Sequence, residues 1–220
     1  MDFERIFAIV IGNILVSNFI LARFLGLCPF IGVSKKTDSA FGMGMAVTFV
    51  MTMASFITWL LYAYVLKADA PLIVWLASAT GSEAVRQMAA EGALEVALRT
   101  VSYILVIASL VQLVEMFLRK SMPALYRALG IYLPLITTNC AVMGVALLNT
   151  TDAPEPLGLG EATLQGFCAG IGFTVAMLLM SGIRERLELL DIPKPLRGVP
   201  IAFICTGLMA LAFLGFSGMV

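Results

Sequence analysis

The chain has 220 residues, of which 60% are hydrophobic and 13% are charged, and its mean hydropathy is +0.99. Ordinary globular domains carry about 25% charged residues, so this composition excludes a water-soluble globular domain. The zero net charge argues against a nucleic-acid partner, and the absence of histidine excludes His-ligated haem and the usual zinc or copper sites.

The chain contains six apolar stretches, each long enough to cross a hydrocarbon core, which takes about 20 helical residues. Uninterrupted apolar runs are typical of membrane helices, whereas barrel strands alternate. The first stretch follows Asp2 and Glu4, which make a poor signal-peptide start, so it is kept as a helix. The sequence therefore predicts an all-α integral membrane protein with a single membrane domain, residues 1–220, and spans at about 4–25, 39–66, 99–118, 124–149, 161–183 and 198–219.

Basic residues are unevenly divided between the two sets of connections. Since cytoplasmic loops are enriched in Lys and Arg, the richer set predicts the cytoplasmic face and places both termini outside the cytoplasm. The segment 67–98 is then an extracytoplasmic insertion, in which 67–95 has the pattern of an interfacial helix. The cytoplasmic set comprises Lys35, Lys36, Arg119, Lys120, Arg127, Arg184, Arg186, Lys194 and Arg197, and the opposite set Arg5, Lys67, Arg86 and Arg99.

The two halves of the chain resemble each other. Cys-x-x-x-Gly-Val occurs in FLGLCPFIGV from Phe24 and in LITTNCAVMGV from Leu135, which pairs Cys28 with Cys140. Three helices per half is an odd number, so the second half enters the membrane from the opposite face, as in inverted-repeat transporters. We expect the first repeat to span 1–120 and the second 121–220. A further echo, FGMGMAVT against AGIGFTVA, pairs Gly42 with Gly170 and Gly44 with Gly172.

Both repeated cysteines lie where a helix is hard to continue. Pro29 follows Cys28, and Pro134 precedes the TTNC run that ends at Cys140. Proline removes a backbone donor and disturbs the preceding turn. Non-helical backbone at membrane depth persists only when it is buried in protein or lines a cavity. We therefore expect broken or re-entrant segments at both cysteines. The side chains that can satisfy the freed backbone groups are Asn13, Ser17, Asn18 and Arg23 in the first half and Thr137, Thr138 and Asn139 in the second.

The chain has four cysteines, and no two have CxxC spacing. Cys168 and Cys205 lie in regular apolar spans and are interpreted as small packing residues. Cys28 and Cys140 are candidate metal ligands, with a disulfide between them as the competing interpretation. Two thiolates do not complete a plant-type iron–sulfur site, which takes four. Another chain would have to supply the rest.

Four strings of the chain form a specific combination: FLGLCPFIGVSKK from Phe24, ALYRALGIYLPLITTNCAVMGVALLN from Ala124, GIRERL from Gly182 and GLMALAFLGFSG from Gly207. They resemble the membrane subunits of the Rnf and Nqr complexes, and most closely the A-type subunits of Rnf. The resemblance covers the chain from end to end except for 67–95 and TTDAPEPLG from Thr150, which look longer than the family pattern.

This resemblance implies a subunit of an ion-translocating ferredoxin:NAD oxidoreductase in the bacterial inner membrane. It implies that Cys28 and Cys140 are two ligands of an intramembrane 2Fe-2S cluster shared with the homologous E subunit. The other implied partners are subunits D, G, C and B, together with membrane lipid. The complex couples electron transfer to movement of Na⁺ or H⁺, and no complete catalytic site is expected in this chain.

Three alternatives remain open at the level of sequence. A secondary transporter also combines an inverted repeat with broken helices, and it would contain no iron. The chain could instead be the equivalent subunit of a sodium-pumping NADH:quinone oxidoreductase. A purely structural subunit that seats other redox proteins is the third, and losing its cluster would leave electron transfer intact.

Overall fold

The structure, a computed structural model, describes residues 3–66, 93–121, 134–151 and 157–216. The predicted interfacial segment 67–95 lies almost wholly outside these ranges, as do the first part of the predicted fourth span and most of TTDAPEPLG.

Within the described ranges every regular element is helical, as predicted. The helices are α1 (Phe3–Ile11), α2 (Leu27–Val33), α3 (Thr37–Leu61), α4 (Ala93–Ser121), α5 (Pro134–Thr137), α6 (Cys140–Thr151), α7 (Leu159–Glu188) and α8 (Val199–Leu214), with π-helical turns at Gly12–Val16 and Tyr62–Leu66.

Three described helices are long and apolar enough to cross a membrane. They cover Thr37–Tyr64, Leu98–Phe117 and Leu159–Glu188 and coincide with the predicted second, third and fifth spans. Two further apolar stretches, Pro134–Thr150 and Val199–Leu214, are shorter. By length and apolar composition these three helices are consistent with the membrane protein that the sequence predicts.

Helices α3 and α7 form the most extensive helix pair. They approach closely because glycines face side chains of the partner helix: a Cβ at Gly44 would lie 2.6 Å from the Thr174 side chain, and one at Gly170 would lie 2.6 Å from the Thr48 backbone. Membrane helices use small residues in this way because close packing, rather than the hydrophobic effect, drives their association in lipid. The two threonine hydroxyls meet between the helices, with their Oγ1 atoms 3.1 Å apart.

The contacts of this pair are reciprocal. Each glycine lies against the threonine that follows the other glycine by four positions, and each threonine Oγ1 donates to the carbonyl of its own glycine, at 2.8 Å in α3 and 2.9 Å in α7. Gly44 therefore corresponds to Gly170, and Thr48 to Thr174, at a separation of 126 residues. The sequence pairs Gly42 with Gly170, which differs by two residues from the register of the structure. The stretch is rich in small residues, so the spacing of its glycines alone does not fix which helix face contacts the partner helix.

The first predicted span, 4–25, is not one continuous helix. Regular helix ends in the π-helical turn at Gly12–Val16, and residues 17–26 are irregular before α2 begins. The buried Asn18 replaces the lost helical bonds: its Oδ1 accepts from the N–H groups of Ile20 at 3.1 Å and Leu21 at 3.4 Å, and its Nδ2 donates to the Gly172 carbonyl at 2.7 Å. The side chain thus satisfies backbone groups that cannot bond to lipid.

The second predicted break is also present. Helix α5 ends at Thr137, residues 138 and 139 are not helical, and α6 begins at Cys140. Thr138 Oγ1 donates to the Pro134 carbonyl at 3.2 Å, and Asn139 Oδ1 accepts from the Ala141 N–H at 3.0 Å. The latter bond is the standard way in which an asparagine begins a helix. The structure thus interrupts the helix on the N-terminal side of each repeated cysteine.

Candidate functional site

The two short helices that carry the repeated cysteines extend toward opposite ends of the α3–α7 pair. The C-terminal end of α2 is tied to the end of α7, where Arg184 Nη1 donates to the Ile31 carbonyl at 2.6 Å. The C-terminal part of α6 is tied to the start of α7, where Asn149 Nδ2 donates to the Ala162 carbonyl at 3.4 Å. Each short helix therefore begins at the middle of the α3–α7 pair and runs outward.

The starts of α2 and α6 are in contact at this middle level. Gly26, the residue before α2, has a φ of +82°, and a Cβ there would lie 2.9 Å from Asn139 Oδ1, 2.9 Å from the Phe173 ring and 3.3 Å from the Ala141 Cβ. Asn139 and Ala141 are the residues on either side of Cys140. Both the left-handed backbone and the close approach require glycine. The chain thus brings together the segments of Cys28 and Cys140, which are 112 positions apart in sequence.

The four cysteines fall into two environments. Cys28 is the second residue of α2 and Cys140 the first of α6, and both are exposed free thiols. Cys168 is buried within α7, and Cys205 is half-buried in α8. The structure therefore has no disulfide between Cys28 and Cys140 and leaves both sulfur atoms accessible at the protein surface.

Hydrogen-bond donors surround the start of α6. The first N–H groups of a helix have no partner inside the helix and carry partial positive charge, which favours an anion nearby. Asn139 is 3% exposed, and its Nδ2 has no hydrogen-bond acceptor among the described residues. A buried amide donor without an acceptor is costly. The positive end of α6 therefore favours a negatively charged group beside Cys140.

The described part of the chain cannot by itself complete a metal site. No group of three or more Cys, Asp or Glu side chains that could hold a metal ion is found among the described residues, and the chain has no histidine. The donor set near the α2 and α6 starts is therefore two thiols. A four-thiolate site at this surface needs two ligands from elsewhere.

Sequence reasoning anticipated some of the polar residues around the breaks and missed others. Asn18 and Asn139 satisfy backbone groups as expected, whereas the Arg23 guanidinium lies over the Phe19 ring, 5.7 Å from its centroid. The sequence places Arg184 only on the basic cytoplasmic face, although the side chain contacts the carbonyl of Ile31 near the end of α2. The sequence shows only that GIRERL places an arginine at the end of a long apolar helix. It does not show which distant group accepts a hydrogen bond from that arginine.

Comparison of the sequence with known proteins shows the family of this chain. The Rnf-Nqr family model, described as a membrane protein subunit, matches residues 6–220. The A-type subunit of the ion-translocating oxidoreductase complex from Salmonella arizonae is 51% identical over 210 residues, which cover 96% of this chain and 95% of that protein. The corresponding proteins from Citrobacter koseri and Serratia proteamaculans are 50% and 51% identical with the same coverage. This chain therefore belongs to the Rnf-Nqr family of membrane subunits.

Proposed function

We propose that this chain is the A-type membrane subunit of a Rnf-type ion-translocating oxidoreductase. In this proposal Cys28 and Cys140 supply two of the four thiolates of an intramembrane 2Fe-2S cluster, and the homologous E subunit supplies the other two. The observation that carries the proposal is the contact of Gly26 with Asn139 and Ala141, which joins the starts of two broken helices, each with an exposed cysteine. When bound, such a cluster supplies one-electron transfer within the membrane.

The residues of this chain fit that group in number, charge and position. Two exposed thiols leave half of a four-thiolate set to a second chain. The partial positive charge at the N-terminal end of α6 favours the negative charge that four thiolates bring. Asn139 Oδ1 accepts from the Ala141 N–H and so holds the first turn of α6, which fixes the backbone that carries Cys140. In this proposal the surrounding lipid and the E subunit keep bulk water away from the site, which strengthens these electrostatic interactions.

Two further parts of the proposal concern the whole chain. The reciprocal Gly44–Thr174 and Gly170–Thr48 contacts support two inverted repeats, 1–120 and 121–220, within six membrane crossings. The uneven distribution of Lys and Arg supports a place in the bacterial inner membrane with both termini outside the cytoplasm. Subunits D, G, C and B are the other proposed partners. Ferredoxin and NADH are handled by other subunits than this one, and electron transfer is coupled to movement of Na⁺ or H⁺.

A secondary transporter is the second candidate function. Half-helices that begin at mid-depth and run in opposite directions are typical of transporter binding sites. A cavity of about 200 Å³ lies beside the first break and is lined in part by Asn13, Ser17, Arg23 and Gln165. In that case the chain would move its substrate without iron, and neither exposed cysteine would be needed.

Electron paramagnetic resonance on the reduced, intact complex in native membranes separates these functions. We expect Cys28→Ser and Cys140→Ser each to abolish one iron–sulfur signal. The matched control Cys205→Ala changes a half-buried cysteine in α8 and should keep the full signal. A signal that survives both serine variants would refute the assignment of the ligands, and retained ion movement in iron-free membranes would favour the transporter.

A further inference from the structure

The corner between α2 and α3 is fastened to the end of α7 by an arginine. Arg184 Nη1 donates to the Ile31 carbonyl at 2.6 Å and to Ser34 Oγ at 3.0 Å. Ser34 is fully buried, so this contact is shielded from competing water. The last carbonyls of a helix lack partners within the helix, and a cation placed there is favourable. Arg184 therefore closes the C-terminal end of α2.

Two neighbours of Arg184 hold the other side of the same corner. Glu185 Oε1 accepts from the Thr37 N–H at 2.9 Å and from Thr37 Oγ1 at 2.6 Å. Ser181 Oγ donates to the same Thr37 Oγ1 at 2.9 Å. These contacts hold the end of α2 and the start of α3 together at the end of α7. We call the three side chains that make them, Ser181, Arg184 and Glu185, the polar anchor.

Cys28 lies close to this anchor along a very short helix. Helix α2 has seven residues, and Ile31 follows Cys28 by three positions, which is about 4.5 Å along a helix axis. A seven-residue helix has less than two full turns, so the two residues are separated by less than one turn of backbone. We therefore expect a displacement of the Ile31 carbonyl to reach the Cys28 sulfur.

The second cysteine has no equivalent fastening among the described residues. The α6 helix is tied to α7 by the neutral Asn149 amide at 3.4 Å. In the register of the α3–α7 pair, Arg184 corresponds to Thr58, whose Oγ1 bonds only within its own helix, to the carbonyls of Ala54 and Ser55. The charged contact is therefore made to the short helix that carries Cys28 and not to the one that carries Cys140.

We propose that Arg184 is a positioning residue that fixes the Cys28 sulfur through α2 more than it fixes that of Cys140. This inference rests on the proposed function, since it assigns Cys28 to the shared cluster. Loss of the guanidinium frees the Ile31 carbonyl and Ser34, so the C-terminal end of α2 shifts. The Cys140 side moves less, because Asn139 and Asn149 hold it by bonds that do not involve Arg184.

The test compares Arg184→Gln with Arg186→Gln in the intact complex. Arg186 lies two residues further along α7 and is exposed, so its variant removes the same charge from the same end of the helix without touching α2. We expect Arg184→Gln to shift the midpoint potential and broaden the signal of the cluster that Cys28→Ser abolishes, and Arg184→Lys to restore part of the shift. Arg186→Gln should match the wild type.

A second measurement does not require the cluster. In iron-depleted complex that retains only Cys28 or only Cys140, we expect Arg184→Gln to change the alkylation rate of Cys28 several-fold and that of Cys140 by a smaller factor. Should Arg184→Gln not assemble, Ser34→Ala removes one acceptor of Arg184 and should give a smaller change in the same direction.

The outcomes separate this inference from the proposed function. If Cys28→Ser leaves every iron–sulfur signal intact, the ligand assignment itself fails. If Cys28→Ser abolishes a signal but Arg184→Gln leaves both the potential and the Cys28 alkylation rate at the Arg186→Gln values, the positioning role is overturned. Equal changes at Cys28 and Cys140 would also overturn it, since they would indicate a general loosening of the fold.

Discussion

Replacing Gly26 with alanine tests the contact on which the candidate site depends. The backbone there is left-handed, with φ of +82° and ψ of 25°, and a residue with a Cβ pays about 1–3 kcal/mol in that conformation. The new Cβ would also lie 2.9 Å from both Asn139 Oδ1 and the Phe173 ring, and overpacking of this kind costs about 1–3 kcal/mol. Taking about 1.5 kcal/mol from each range, we expect a combined loss of about 3 kcal/mol.

For a chain of this length, 1 kcal/mol corresponds to about 2–4 °C in Tm, so Gly26→Ala should lower the Tm by about 6–12 °C. The assay is thermal unfolding of the purified complex in detergent. Gly182→Ala is the matched control, because a Cβ at Gly182 in α7 meets nothing within 4 Å. Gly198→Ala isolates the backbone strain, since Gly198 has a φ of +97° and no neighbour within 4 Å. If the Tm of Gly26→Ala equals that of Gly182→Ala, the close contact between the two half-helices is not present.

Two other substitutions test the packing that supports the site. Gly170→Ala should separate α3 from α7, because the Cβ would lie 2.6 Å from the Thr48 backbone. We expect the free energy of unfolding to fall by about 1–3 kcal/mol, measured by thermal unfolding. The control Gly207→Ala, whose Cβ meets no neighbour within 4 Å, should melt at or above the wild-type temperature. Asn18→Ala removes the 2.7 Å hydrogen bond to the Gly172 carbonyl and should lower the free energy of unfolding by about 1–3 kcal/mol. We also expect faster hydrogen exchange, confined to residues 17–26. Unchanged exchange there would contradict the role given to this side chain.

Local chemistry explains how much of the site could be predicted from sequence. Pro29 and Pro134 cannot continue a regular helix, so breaks near both cysteines follow from residue type. The polar side chains needed at such breaks are also visible, and Asn18 and Asn139 act as expected. The choice of Cys28 and Cys140 over the other two cysteines came from the internal repeat and the family resemblance, and it stays a prediction.

The sequence by itself determined that this chain is a helical membrane protein, because 60% hydrophobic and 13% charged residues leave lipid as the only solvent for most of its surface. Tertiary structure alone decided the register of α3 against α7, the meeting of Gly26 with Asn139, and the fastening of α2 by Arg184. These contacts join residues more than 100 positions apart. Helical periodicity specifies only which residues share a helix face. Which face packs against which is decided by the fold, because close packing of small side chains and hydrogen bonding of buried polar groups depend on the partner face.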